Sequence, residues 1–376
     1  MKDMNSNEEK LITLSHPLCI TRFDIILKLL MNEEHIDKKA IPQVLVSLWL
    51  GAVTALPTMI EHVLCYNRLK KEEVTDPVFV MGHWRCGTTL VQHLLSRDKN
   101  FGTFFTVFNS TFNFYHVLHK LYRPLVLGQF SATRPMDNMR FGEDLPMEDY
   151  IAFAKIEAES LYPVNYFPQS FERFMNNAYW QDLPSKKAQR IKKKYDNMLR
   201  KCAEVNGHKR LMLKSPDSTG RISVLAEMYP GAKFVNIYRN PYTVIRSTLH
   251  MYDKVMDMWA MQEMPPREQM EDWVIDNFKR MYENYFAFIA KAPKDSYYEI
   301  RFEDFEKDPF PYLKEAYEKL DLGDYEAAKA GFEEYWKQEE NYKKNSFEYP
   351  EHLKKKIEDK LGFYFEHYGY KIGEIQ

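Results

Sequence analysis

Residues 77–95 read PVFVMGHWRCGTTLVQHLL. A short apolar and β-branched run closes on Gly82, a second glycine stands at Gly87 with four residues between them, and a helical pattern starts at Thr88. Strand, glycine turn and helix in immediate succession require a crossover connection and helix-on-sheet packing, so the chain is committed to an α/β architecture. The turn also has a chemistry. Backbone N–H groups in such a loop point at an anion, and the helix N-terminus adds about half a positive charge. An ATP-using loop would place lysine where Thr88 stands, whereas here the positive group is Arg85, inside the loop. Such a loop suits a short 5′ anionic group on a nucleotide, with Arg85 at the bridge to a transferable group.

The alternation repeats downstream. RLMLK (210–214), KFVNIYR (233–239) and YYEIRFEDF (297–305) read as strands; TGRISVLAEMYP and PYTVIRSTLHMY read as the helices between them, the second with proline in its first turn. The expected fold is a P-loop-like parallel sheet flanked by helices. Residues 1–75 read as a helical N-terminal extension, ending in the charged run RLKKEEVTDP, and residues 76–376 as the α/β domain, with a helical tail from 309. The basic run SKKAQRIKKKYDNMLRKCAE reads as a helix with a solvated face.

Bulk properties exclude several classes. Lys+Arg at 52 against Asp+Glu at 54 leaves a net charge of −2, so no overall field recruits nucleic acid, and any anion site is local. The four cysteines have no paired spacing, which argues against a disulfide framework or zinc site and suits a reducing compartment. The polar start MKDMNSNEEK lacks the apolar region of a secretory signal, so a cytoplasmic location is expected. Residues 41–60, IPQVLVSLWLGAVTALPTMI, carry no charge. Interrupted by Gln43, Ser47, Gly51, Thr54 and Pro57, they read as a helix buried against the core, or one touching a membrane or lining an apolar pocket, in preference to a membrane span.

A second anion site lies in YRNPYTVIRS. Arg239 ends a strand and Ser247 falls two turns into the following helix, so both can face one phosphate. Two separate phosphate sites point to a nucleotide phosphorylated at two places. With these motifs the chain resembles the sulfotransferases that use 3′-phosphoadenosine 5′-phosphosulfate (PAPS), in the bacterial-like branch with arginine in the 5′-phosphosulfate loop. The resemblance spans about residues 77–370, through RFEDF, NYKKNSFEYP and GFYFEHYGY. It implies donor contacts from Arg85, Cys86, Gly87, Thr88 and Thr89, 3′-phosphate contacts from Arg239 and Ser247, a further donor contact from Lys344, and a sulfate-contacting lysine at Lys214. Cys86 stands where the family usually has serine, and Ser218 replaces a histidine often seen in related enzymes.

Sulfuryl transfer through a loose, SO3-like state needs positive charge at the leaving and peripheral oxygens, a role for Arg85 and Lys214, and no metal. The acceptor hydroxyl needs a base: Glu148 or Asp149 in FGEDLPMEDY, or His83 in the loop. Glu148 is preferred because the acidic patch follows an aromatic-rich stretch, Phe101, Phe104, Phe105, Phe108, Phe112, Phe114, Tyr115, Tyr122 and Phe130, that either fills the core or holds the acceptor. The expected acceptor is a lipophilic alcohol of the sterol or steroid kind. A small-molecule kinase, or a non-catalytic lipid-binding protein, is the competing reading. Thr88 opposes the first, and the paired phosphate motifs oppose the second.

Overall fold

The computed structural model describes Leu14 and residues 16–128, 142–143, 145–339 and 347–375. Five parallel strands form one sheet: β1 (Val78–Met81), β2 (Phe101–Gly102), β3 (Arg210–Lys214), β4 (Lys233–Tyr238) and β5 (Tyr297–Arg301), in the order β2-β3-β1-β4-β5. Every residue of β1 is buried, as expected of a strand covered on both faces. Val78 pairs with Met212 on one side and with Lys233 on the other, so β1, β3 and β4 run level. From β1 the chain passes to the edge strand β2, returns through β3, crosses β1 to reach β4 and continues outward to β5, so the connections after β1 and after β4 run to opposite sides. The carboxyl ends of β1, β3 and β4 therefore meet at a topological switch point, where open α/β sheets bind ligands.

Helices Thr88–Leu95, Ile222–Met228 and Pro241–Trp259 follow β1, β3 and β4, and the tail forms Phe310–Leu320, Tyr325–Glu339 and Glu351–Tyr368. One apolar cluster runs from Leu18, Ile25 and Ile26 through the sheet to Tyr364 and Tyr370. One sequence expectation needs correction. YYEIRFEDF is not strand throughout: it leaves the sheet at Arg301, and Phe302–Phe305 turn into a short helix that seats Phe302 beneath the loop after β1. The basic helix, Ser185–Val205, has its expected solvated face and buries the other through Ile191, Tyr195, Met198 and Leu199, with Lys201 buried in an ion pair with Glu61.

Residues 41–60 form parts of two helices, Ile41–Val53 and Ala55–Leu69, bent by 43° at their junction. Among the described residues no single helix is long and apolar enough to cross a membrane. The pair is turned inside out. Ser47, Gly51 and Thr54 face the protein, with Gly51 lying so close to Phe23 and Ile26 that a Cβ would sit 3.0 Å from Ile26 Cδ1, while Leu45, Trp49, Leu56, Met59, Val63 and Leu64 are exposed. Small residues allow the close approach of helices that large ones would prevent.

Candidate active site

The loop after β1 is built from residues in unusual conformations. Gly82 and Gly87 have φ of 136° and 103°, and Arg85, a non-glycine residue, has φ of 71°. Gly87 is required for a second reason: a Cβ there would lie 2.6 Å from Cε2 of Phe302. A left-handed arginine costs about 1–3 kcal/mol and persists only where its surroundings fix it. They do so here through the second motif. Arg85 Nε donates to Ser247 Oγ at 3.0 Å, and Arg239 Nη1 donates to the Arg85 carbonyl at 3.3 Å. Thr248 Oγ1 donates to the Trp84 carbonyl, and Gly82 N donates to Thr219 Oγ1 at 2.9 Å. Residues far apart in sequence thus converge on one loop.

Arg239 stacks on the Phe302 ring, Cζ to centroid 4.1 Å, and burial pushes its basicity down. Its Nε has no hydrogen-bond partner among the described residues. A buried donor without a partner costs about 1–3 kcal/mol, which an anionic ligand would relieve. Thr88 and Thr89 begin the helix after Gly87, where the first N–H groups have no intrahelical acceptor. An orphaned guanidinium nitrogen and a helix end cradled by glycine are features that a nucleotide carrying two phosphate groups would satisfy.

Lys214 ends β3, 1% exposed at its side chain, in an ion pair with Glu148. Its Nζ also donates to Thr89 Oγ1 at 3.3 Å. Glu148 is the N-cap residue of the helix Asp149–Ala154, and its carbonyl accepts from Asn109 Nδ2 at 2.8 Å. Glu148, Lys214, Arg85, Thr88 and Thr89 line one cavity of about 600 Å³, whose other walls include Trp49, Trp84, Tyr150, Tyr162, Tyr252 and Trp259.

The other candidates lie elsewhere. Asp149 points away from this cavity into the core, where it accepts from Tyr195 OH at 2.6 Å; burial, and then the charge of Asp217, push its carboxyl up to about 7. His83 is buried between Trp84 and Phe278, and burial pushes its imidazole down to about 3. Cys86 is buried with its thiol pushed up to about 12, its Sγ 3.9 Å from Tyr282 OH. Ser218 is buried with no partner for Oγ among the described residues. Lys344 lies outside the described residues.

Of the aromatic stretch, Phe104, Phe108 and Phe112 pack against one another in the core, with centroids 5.3 and 5.4 Å apart for successive pairs, and of the described aromatics in it Tyr122 alone lines the cavity; Phe130 lies outside the described residues. The cavity is walled instead by residues scattered from Leu14 to Trp259, among them Lys155, which no local pattern singles out. Elsewhere, Glu61, Cys65 and His116 bring ligand-type atoms within 4.8 Å of one another, but Glu61 is already held by Lys201 and by the N–H groups of His116 and Val117.

The parallel sheet carries a glycine loop at its switch point and a second candidate anion motif after the neighbouring strand, and residues 77–326 match the sequence model of the sulfotransferase family. The chain belongs to that family and is a sulfotransferase. It is 27% identical over 326 residues to the omega-hydroxy-beta-dihydromenaquinone-9 sulfotransferase Stf3 of Mycobacterium bovis and of Mycobacterium tuberculosis, covering 86% of this chain and 82% of the relative. In fold it is similar to the sulfotransferase STF9 from Mycobacterium avium, with TM-score 0.69 and 13% identity over 93% of this chain and 91% of that one. It is also similar to STF1 from Mycobacterium tuberculosis H37Rv, with TM-score 0.64 and 14% identity over 89% and 90%.

Proposed function

We propose that this chain moves the sulfuryl group of PAPS to the hydroxyl of a lipophilic alcohol. The observation that carries the reading is the junction of both anion motifs, Arg85 to Ser247 and Arg239 to Arg85, beside a Lys214–Glu148 pair that lines an apolar cavity. Arg239 and Ser247 would hold the 3′-phosphate, and the N-terminus of Thr88–Leu95 with Arg85 the 5′ group. When bound, the donor supplies the activated sulfur. Glu148 takes the proton of the acceptor hydroxyl as the new O–S bond forms. Lys214 and Arg85 hold the charge that grows on the oxygen released from sulfur, an electrostatic role that needs no reorganisation in a dry site.

A kinase would need carboxylates for magnesium at the strand ends, and those of β3 and β5 carry Lys214 and Arg301, with Arg239 directly after β4. Calorimetry with adenosine 3′,5′-bisphosphate and with ATP separates the two readings: the bisphosphate binds and ATP binds far more weakly if PAPS is the donor. The reverse order overturns the proposal.

The acceptor is a water-insoluble alcohol. The named substrate of the Mycobacterium relatives is a hydroxylated menaquinone, which favours a long isoprenoid or quinone alcohol over the sterol or steroid expected from the sequence. The exposed apolar side chains of 41–64 adjoin the cavity through Trp49 and Leu50, which suits a cytoplasmic protein that docks on a membrane surface to collect its acceptor. Co-sedimentation with lipid vesicles, lost in Leu56→Ser/Met59→Ser, tests that contact.

A further inference from the structure

Lys155 lies 4% exposed and lines the apolar cavity. Among the described residues no carboxylate, carbonyl or hydroxyl accepts a hydrogen bond from its Nζ. The acids next along the chain are engaged elsewhere: Glu157 pairs with Arg190 and Lys194, and Glu159 with Lys28, Lys187 and Arg190. A lysine at a helix C-terminus can serve the last carbonyls of its helix, yet none of those of Asp149–Ala154 receives it. The neighbouring Cys19 thiol is pushed up by burial and stays neutral. Burial pushes the lysine itself down to about 7. A long polar side chain held without a protein partner against an apolar void is costly unless a ligand completes it.

The position of Lys155 gives that ligand a dimension. Glu148 and Lys155 are the N-cap and C-cap residues of one helix, Asp149–Ala154. Seven residues of helix at 1.5 Å each place their backbones about 10 Å apart. We propose that Lys155 is a second anchor for the acceptor, donating to a carbonyl or carboxylate oxygen carried about 10 Å along the molecule from the hydroxyl that Glu148 faces. The anchor rests on the proposed function for the role of Glu148, but the binding contact stands by itself. It makes the site selective for lipophilic alcohols with a second, oxygen-bearing group over plain alcohols.

The test measures equilibrium binding without donor, read from the fluorescence of Trp49, Trp84 and Trp259 on the cavity wall. Three ligands of equal chain length are compared: an ω-hydroxy fatty acid, its methyl ester and the unsubstituted fatty alcohol. The wild-type protein should bind the acid and the ester at least about tenfold more tightly than the alcohol, and Lys155→Met should bind all three within about threefold. Lys155→Arg should keep the preference. Without ligand, Lys155→Met should melt no lower than the wild type, because it removes a buried amine that no protein group accepts from. No preference in the wild type, an unchanged preference in Lys155→Met, or a melting point several degrees lower in that variant overturns the proposal. Lys155-dependent binding with no sulfuryl transfer to any of the three would overturn the assigned acceptor chemistry and leave the anchor in place.

Discussion

Glu148→Gln and Glu148→Ala, compared side by side, separate two roles that the geometry gives one carboxylate. Glu148 is the counter-charge of Lys214, which is 1% exposed, and it is also the cavity-lining candidate for the base. Breaking a buried ion pair by removing one partner costs about 3–5 kcal/mol; with Glu148 16% exposed, alanine should cost near the lower end. Glutamine keeps a carbonyl oxygen for Lys214 to donate to, so its cost should be about 1–2 kcal/mol. Turnover follows a different rule. Neither variant can accept a proton at neutral pH, and loss of general-base catalysis costs about 10²–10⁴-fold, so both should fall together by at least a hundredfold. The assay is transfer of labelled sulfur from PAPS to a lipophilic alcohol at saturating concentrations, with thermal melting of each variant alongside. A glutamine variant that keeps more than about one-tenth of the turnover while the alanine variant loses it would refute the base and leave Glu148 as the counter-ion of Lys214.

Arg239→Ala should weaken adenosine 3′,5′-bisphosphate by roughly ten- to a hundredfold, measured by calorimetry, since it removes a charge-assisted contact. Gly87→Ala adds strain of about 1–3 kcal/mol and drives the Phe302 ring from beneath Arg239, so both the melting point and nucleotide affinity should drop; equal affinity would show that the loop adapts. His83 has a folded-state basicity depressed to about 3, so the unfolded chain binds its proton first and stability is lost as pH falls from about 6.5 toward 3. His83→Asn should therefore melt with a shallower pH dependence across that window while keeping most of its turnover, and a turnover loss larger than that of Glu148→Gln would make His83 the base.

Strands β1, β3, β4 and β5 were legible as short apolar runs closed by glycine or a charged residue, whereas the two-residue edge strand β2 carries no such pattern, and its pairing with β3 appears only in the fold. The loop was legible from its glycines, though their reason was not: that Gly87 makes room for Phe302 depends on residues 215 positions apart in sequence. Choosing between Glu148 and Asp149 required the start of their helix, because the N-cap residue faces the cavity and the next one the core. Aromatics at 104–112 could not be assigned to core or pocket, since both are apolar surroundings. For residues 41–60 hydropathy left burial, a membrane contact and a pocket wall open. Trp49, Leu50 and Thr54 do reach the cavity, while most of the large side chains face outward because the helix contact is made by Ser47 and Gly51, a choice set by the surface they meet and invisible in hydropathy.

The central claim is group transfer from a doubly phosphorylated nucleotide to an alcohol in this cavity, and one incubation tests it most directly. The protein is mixed with PAPS labelled on sulfur and a solubilised isoprenoid alcohol in the presence of EDTA, with labelled lipid and released adenosine 3′,5′-bisphosphate quantified together. The account predicts label in the lipid, equimolar release of the bisphosphate, and the loss of both in Lys214→Met at donor affinity close to that of the wild type. Release of the bisphosphate without labelled lipid, or transfer that requires added divalent metal, would contradict it.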